Sequence, residues 1–195
     1  AGANSECNAD WLVQFAQMGA VFAKQRFGIA SPRVGLLSIG EEPTKGNPLV
    51  KETHKLLAEG SWIGETGAQF IGNVEGRDIM TDDVDVVVTD GFTGNVALKT
   101  LEGTMKTIVK ELFASIGEPQ YKEHTEALMP ALLNLYSKFD PDSTGGAILL
   151  GVDGVCIISD GSSSARAMLN GIKVAKDMVE CNMVGLIANA LKSDA

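Results

Sequence analysis

The sequence contains few of the residues from which disulfide frameworks and zinc sites are built. Its three cysteines, Cys7, Cys156 and Cys181, are odd in number and far apart, which favours a reducing compartment over a disulfide-linked fold. Its two histidines, His54 and His124, lack the spacing of a zinc-ligand pair. We therefore expect no metal and no cofactor.

Basic residues are also scarce. Sixteen lysines and arginines face twenty-five acidic residues, which leaves a net charge of −9. Nucleic-acid binding relies on lysine and arginine to neutralise phosphates, so a nucleic-acid partner is not expected. The sequence has neither a signal-peptide pattern nor an apolar run of about eighteen residues that could span a bilayer. These absences predict a cytoplasmic protein.

The hydrophobic content of 45% over 195 residues is enough for one large domain, which we predict to cover residues 1–195. The chain starts at Ala1 rather than at methionine. We expect that this is not the first residue of the gene product.

The most informative stretch runs from Val84 to Thr100. A short valine run predicts a buried strand, the segment Asp90–Asn95 contains two glycines, and the leucines that follow recur at helical spacing. This pattern predicts a strand, a glycine turn with free backbone N–H groups, and a helix. For this turn taken alone, a plain strand-to-helix connection is the favoured explanation.

The rest of the chain alternates in the same way. We predict a helix from the Asn8 cap to Gly28 and a second helix from Asn47-Pro48 to about Leu57, ending before Gly60. Two short helices or a helical hairpin are predicted within residues 113–139, and one long final helix after Ser163. The further predicted strands are Arg33–Ile39, Ala68–Val74, Ala147–Leu150 and Val155–Ser159. Such alternation implies an α/β fold with a largely parallel sheet covered by helices on both faces.

Lys45 precedes the predicted helix cap Asn47 by two residues. An ammonium group beside a helix N-terminus can hold a phosphate or a developing oxyanion, although a solvated loop lysine fits the same pattern. The loop lacks the spacing of a Walker A motif, and no G-x-G-x-x-G segment follows a strand.

Four polar, glycine-bearing turns follow predicted strands, at Gly40–Asn47, Asn73–Asp78, Asp90–Asn95 and Asp160–Ser163. In a parallel sheet they would share one edge, which predicts a ligand site there. Two alternatives are weaker. Cys7 has no recognisable histidine partner, and an Mg²⁺ site at Asp82, Asp83 and Asp85 is less expected than a solvated turn.

Five segments and their spacing resemble the phosphate acyltransferases of bacterial phospholipid synthesis (PlsX). They are RVGLLSIGEEPTKGNPLVKE at Arg33–Glu52, FIGNVEGRDI at Phe70–Ile79, DVVVTDGFTGNVALKTLEG at Asp85–Gly103, GGAILLGVDG at Gly145–Gly154 and DGSSSARA at Asp160–Ala167, with GAN at Gly2–Asn4 as a sixth match. Two positions depart from the family pattern: Asp160 stands where a histidine is frequent, and Ile148 where a proline is frequent.

The resemblance implies a three-layer α/β/α fold like that of phosphotransacetylases and isocitrate or isopropylmalate dehydrogenases, usually as a homodimer. Family chains carry a further amino-terminal portion, so this sequence would begin inside the domain. The implied reaction moves a fatty acyl group from acyl-acyl-carrier-protein to inorganic phosphate, with glycerol-3-phosphate acyltransferase as the downstream enzyme. The family is peripheral on the membrane, which would place this chain at its inner face.

The resemblance also implies roles for individual residues. Catalysis would involve Lys45 and Asn47, without a metal, a covalent intermediate or an identifiable general base. Substrate binding would involve Gly46, Asn73, Glu75, Asp90, Gly91, Gly94, Asn95, Lys99 and Ser162.

Two rival functions remain open from the sequence. One is a phosphotransacetylase-like enzyme that uses coenzyme A thioesters, and the other is a non-catalytic scaffold. The apolar residues late in the predicted hairpin, such as Leu132 and Leu133, suit either contact with a membrane surface or packing in a dimer.

Overall fold

The computed structural model describes residues 3–139, 145–159, 161 and 163–192. The chain divides into two compact units. The first comprises Ala1–Asn95, Leu149–Cys156 and Asp177–Ala195, and the second comprises Val96–Ile148 and Ile157–Lys176. The single domain predicted for residues 1–195 stays a prediction.

The first unit is built around a three-stranded parallel sheet. Its strands are β1 (Arg33–Leu37), β2 (Gln69–Val74) and β3 (Val86–Val88), in the order β2-β1-β3. The central strand β1 is the most buried, with Val34 and Leu36 fully enclosed, as its unbroken apolar sequence predicts. The predicted α/β class is confirmed, and the parallel sheet with its helices is consistent with a three-layer α/β/α fold.

Two capped helices pack with this sheet. Helix α1 (Ala9–Phe27) starts where the Asn8 side chain accepts the Trp11 N–H and ends at Gly28 in the left-handed region. Helix α2 (Pro48–Glu59) is capped in the same way by Asn47 and ends at Gly60, and a 3-10 helix (Ser61–Thr66) follows. Both helix predictions are confirmed. The shared core contains Leu12, Ala16, Ala20, Val34, Leu36, Leu57, Trp62, Ala68 and Val88.

Helix α3 (Gly91–Ile116) begins in the first unit and continues into the second. A 3-10 helix (Pro119–Tyr121) then leads into α4 (Lys122–Phe139), where Thr125 Oγ1 donates to the carbonyl of Ile116. Pro130 lies inside α4 and does not divide it. The inserted hairpin predicted for residues 113–139 thus covers the end of α3 and all of α4, and its status as an insertion stays a prediction.

The last part of the chain differs from the sequence prediction at one point. Strands β4 (Ala147–Leu149) and β5 (Cys156–Ile158) form a separate two-stranded sheet, and α5 (Ala165–Glu180) and α6 (Met183–Lys192) follow. The prediction of one long final helix is wrong. Asn182 adopts a left-handed conformation with φ 53°, and its carbonyl accepts the Leu186 N–H to start the second helix.

Across the described residues, no helix combines the length and the apolar character needed to cross a bilayer.

Candidate functional site

The carboxyl ends of β1, β2 and β3 meet at one edge of the parallel sheet. The turns at Gly40–Asn47, Asn73–Asp78 and Asp90–Asn95 leave from this edge, and all three belong to the first unit. The fourth predicted turn, Asp160–Ser163, follows β5 of the separate two-stranded sheet, and its residues Asp160 and Ser162 lie outside the described residues. The edge therefore brings together the eight predicted site residues between Lys45 and Gly94, out of eleven in total. Asn95, a ninth, directly follows Gly94 in α3.

The loop after β1 presents Lys45 at the start of α2. Lys45 is exposed, and its side chain makes no ion pair within the described part of the chain. Gly46 adopts φ +94°, a backbone conformation that residues with a side chain rarely adopt. A Cβ at this position would also lie only 2.6 Å from Val50 Cγ1. Asn47 Oδ1 accepts the Val50 N–H at 2.9 Å. Because this cap is neutral, the positive end of the α2 dipole remains available to an anion beside Lys45.

Asn73 lies at the same edge but is buried, with only 5% of its surface exposed. Its Nδ2 donates to the carbonyl of Glu42 at 2.9 Å, and its Oδ1 lies 2.9 Å from His54 Nδ1. The side chain therefore holds the loop after β1 rather than pointing into solvent. A direct contact with substrate stays a prediction.

Glu75 begins the turn after β2 and closes it locally. Its backbone N–H donates to Asp78 Oδ2 at 2.7 Å, which completes a capping box at the 3-10 helix Gly76–Met80. Its carboxylate also pairs with Arg77 Nη2 at 2.7 Å, and the same guanidinium group reaches Glu41 Oε1 at 2.8 Å. These carboxylates raise the pKa of Arg77, chiefly through the hydrogen bond to Glu41. Arg77 thus links the turn after β2 to the loop after β1.

The segment Asp90–Asn95 forms the first turn of α3 and not a turn before it. The Asp90 carboxylate accepts the Thr93 N–H at 2.8 Å and the Thr93 hydroxyl at 2.7 Å, so this helix has an anionic cap. Gly91 and Gly94 are buried and do not adopt positive φ. The Gly91 N–H donates to the carbonyl of Asn4 at 2.7 Å, and a Cβ at Gly91 would lie 2.5 Å from that oxygen.

This arrangement explains the glycine at position 91 by a contact within the chain. The amino-terminal segment lies so close to the start of α3 that only a hydrogen atom fits between them. The N–H groups of Gly91, Thr93 and Gly94 are bonded to oxygen atoms of Asn4 and Asp90. An anion is consequently favoured less at α3 than at α2, because Asp90 already supplies negative charge.

Two further predicted residues follow on α3. Asn95 is exposed on α3, and Lys99 lies in the second unit, where its ammonium group pairs with Glu102 at 2.9 Å. No cluster of potential metal ligands occurs among the residues that the structure covers. In particular, Asp85 accepts hydrogen bonds from the Arg33 guanidinium group and backbone, which lower the pKa of its carboxyl group.

The Cys7 thiol lies beside the first turn of α3 and donates to the carbonyl of Asn4 at 3.4 Å. Burial is the main factor that raises its pKa above the ordinary value, and the nearby Asp90 carboxylate acts in the same direction. Both effects oppose formation of the reactive thiolate.

A cleft of about 520 Å³ opens beside the loop after β1. Glu41 and Pro43 of that loop line it together with side chains of α2 and β2, including His54, Leu57 and Phe70. Sequence reasoning did not connect His54 with the site, because its partner Asn73 is distant in sequence and the two meet only through the packing of α2 on β2. Arg77 lies in the segment Phe70–Ile79 that carries the family resemblance, but the sequence predicted no role for it.

Comparison with known proteins gives a consistent result. The chain matches the sequence model of the family described as "Fatty acid synthesis protein" over residues 1–185. It is 47% identical over 190 residues to the phosphate acyltransferase of Elusimicrobium minutum, covering 94% of this chain and 52% of that protein. Identity is also 47% to the phosphate acyltransferase of Halothermothrix orenii, covering 100% and 57%, and 44% to that of Clostridium perfringens, covering 98% and 55%. The chain spans about half the length of these curated relatives.

Proposed function

This chain belongs to the fatty acid synthesis protein family. We therefore propose that it acts as an acyltransferase, which moves a fatty acyl group from acyl-acyl-carrier-protein to inorganic phosphate. The product would be an acyl phosphate for phospholipid synthesis. The relatives named phosphate acyltransferase support the choice of phosphate as acceptor. The observation that carries the proposal is Lys45, exposed at the mouth of the neutrally capped helix α2.

The reaction needs charge stabilisation more than it needs a strong nucleophile. A phosphate oxygen attacks the thioester carbonyl carbon, a C–O bond forms, and the C–S bond breaks to release the carrier thiol. Phosphate and the tetrahedral intermediate are both anionic. Lys45 would neutralise this charge, and the positive end of α2, oriented by the Asn47 cap, would hold the same group.

The other predicted residues would act around this centre. Gly46 would let the ligand approach the backbone, and Asp90 with Gly91 and Gly94 would form the opposite wall, with Asn95 on the next turn. The partly apolar cleft beside Glu41 and Pro43 would provide room for part of the acyl donor. Substrate binding by Lys99 and by Ser162 stays a prediction.

The proposal extends to the partners of the enzyme. These are acyl carrier protein, inorganic phosphate, a second copy of the chain in a homodimer, and a glycerol-3-phosphate acyltransferase that consumes the product. The protein would act in the cytoplasm at the inner face of the membrane. An acyl phosphate carries a long apolar chain, so release at a bilayer avoids its exposure to water.

The test is acyl-phosphate formation. The chain should be assayed alone and after fusion to the amino-terminal half of the Elusimicrobium minutum relative, with acyl-acyl-carrier-protein and phosphate as substrates. We expect turnover by the fusion. A preference for acyl coenzyme A would favour the phosphotransacetylase-like alternative, and no turnover with either donor would favour a scaffold.

A further inference from the structure

His54 does not belong to the predicted site, but it is connected to Lys45 through three hydrogen bonds. Its Nδ1 lies 2.9 Å from Asn73 Oδ1, and Asn73 Nδ2 donates to the Glu42 carbonyl at 2.9 Å. The same carbonyl accepts the backbone N–H of Lys45 at 2.9 Å. The side chain of a helix residue is thereby linked to the backbone of the loop lysine.

The direction of each hydrogen bond follows from the chemistry of the groups. The Glu42 carbonyl can only accept, so the amide nitrogen of Asn73 must face it and the amide oxygen must face His54. That oxygen also can only accept, so His54 Nδ1 carries a hydrogen and donates. Only this arrangement makes both hydrogen bonds of Asn73, because the opposite orientation of the amide would place its oxygen against the Glu42 carbonyl.

A β-bulge makes the contact possible. In the pairing of β2 with β1, Phe70 is opposite Val34 and Gly72 is opposite Gly35, so Ile71 is an extra residue. Side chains three positions apart in a regular strand point to opposite faces. Here Phe70 and Asn73 both contact His54, with the Phe70 ring at a centroid distance of 5.3 Å, because the bulge rotates Asn73 to the same side.

Gly72 permits this bulge. It adopts φ +96°, and a Cβ built there would meet no atom within 4 Å. Space therefore does not require glycine, whereas the backbone conformation does. The positive φ of Gly72 has a local consequence, which is the orientation of Asn73.

The Arg77–Glu41 ion pair also reaches this loop but is a weaker candidate for holding it. The side chains of Arg77 and Glu41 are each 69% exposed, and exposed pairs contribute little. Asn73 is 95% buried, so its hydrogen bonds do not compete with water and their loss leaves unsatisfied groups.

We propose that His54 is a positioning residue that, through Asn73 and the bulge at Ile71-Gly72, fixes the backbone conformation that presents Lys45. This role rests on the proposed function only where activity is concerned. The positional effect itself can be measured on this chain without any substrate.

The first experiment compares two variants by amide hydrogen exchange in NMR. His54→Phe keeps a ring against Phe70 and removes the donor, whereas His54→Asn places an amide N–H near the position of Nδ1 and keeps it. We expect the Lys45 amide to exchange about tenfold faster in His54→Phe, the size of one lost hydrogen bond, and near the wild-type rate in His54→Asn. In His54→Phe the Lys45 amide should be accelerated more than the amides of α1, which report on the stability of the core.

Equal Lys45 exchange in wild type and His54→Phe would overturn the proposal. If His54→Phe fails to fold, Gly72→Ala provides the second route. Alanine strains the φ +96° conformation without a steric clash, so a reorganised bulge should also speed exchange at Lys45. An unchanged Lys45 amide in folded Gly72→Ala would equally count against the mechanism.

Activity supplies the remaining readout. In the active fusion, His54→Phe should raise KM for phosphate or lower kcat under conditions where the variant is folded, and His54→Asn should restore the wild-type value. If the wild-type fusion forms no acyl phosphate, the proposed function fails while the exchange result still decides the role of His54. An active fusion that His54→Phe leaves unaffected would contradict the positioning role alone.

Discussion

At the scale of single residues, Lys45 and Asp90 show how the charge of a helix cap selects an anion site. Both follow strands of the same parallel sheet and both lie near a helix start. The neutral Asn47 leaves the positive end of α2 uncompensated, whereas the Asp90 carboxylate compensates that of α3. Phosphate is therefore expected at the loop after β1 rather than at Asp90–Asn95.

Replacement of Lys45 tests this expectation. In an active fusion, Lys45→Ala should lower the rate of acyl-phosphate formation by about 10²–10³, the usual loss for one oxyanion-type donor. The melting temperature should not change, because the side chain is exposed. Lys51→Ala, an exposed lysine one turn into α2, is the matched control and should retain wild-type turnover. Normal activity of Lys45→Ala would remove Lys45 from the site.

Asp85 concerns stability rather than catalysis. Its hydrogen bonds from Arg33 lower the pKa of the carboxyl group, so the folded state favours the ionised form more than the unfolded state does. Such a group stabilises the fold above its unfolded pKa of about 3.9, and this contribution is lost as the pH falls through the lower folded pKa.

The Asp85→Asn variant should accordingly unfold more easily than wild type at pH 7, and the difference should shrink as the pH is lowered below about 4. Denaturant unfolding at several pH values measures this. Asp153→Asn, at an exposed position, serves as the control and should track wild type throughout. A difference that is constant with pH would mean that the ionised pair is not the cause.

At the scale of elements, α4 presents apolar side chains that its own unit leaves uncovered. Leu128, Leu133, Leu135 and Tyr136 are all about half exposed. We predict that the segment of residues 113–139 contacts a membrane surface, a second subunit, or both. Acidic residues near its start, such as Glu118 and Glu126, oppose attraction to anionic lipid, so binding should depend on apolar insertion and only weakly on salt.

Liposome flotation of the double variant Leu132→Glu/Leu133→Glu tests this prediction. We expect the wild type to float with the vesicles at low and high salt and the variant to remain in solution. Light scattering should be measured in parallel. Equal flotation of the two proteins would refute insertion by this segment, and a variant that changes from dimer to monomer would assign the leucines to subunit packing.

At the scale of the whole molecule, the chain brings the carboxyl ends of three parallel strands to one edge and spans about half the length of its relatives. The first unit holds every described residue of the proposed site except Lys99. Its three turns come from separate segments of the chain, and Asn73 and Arg77 join the turn after β2 to the loop after β1. The site therefore depends on the parallel packing of β1, β2 and β3 and not on any one segment.

Local sequence was sufficient for features that short-range chemistry controls. Asn8 and Asn47 identified two helix starts, Gly28 and Gly60 identified their ends, and apolar runs located the strands to within a few residues. The α/β class followed from the alternation of these elements, and the family followed from segments that extend over the whole chain.

Tertiary structure decided what depends on contacts between distant residues. The sequence showed a glycine at position 91 but not the Asn4 carbonyl that excludes a Cβ there, and it showed Asn73 near a turn but not its burial between Glu42 and His54. The bulge at Ile71 and the break at Asn182 likewise leave no clear pattern in sequence. Such features arise because packing, not local preference, determines which polar groups meet and which backbone strain is tolerated.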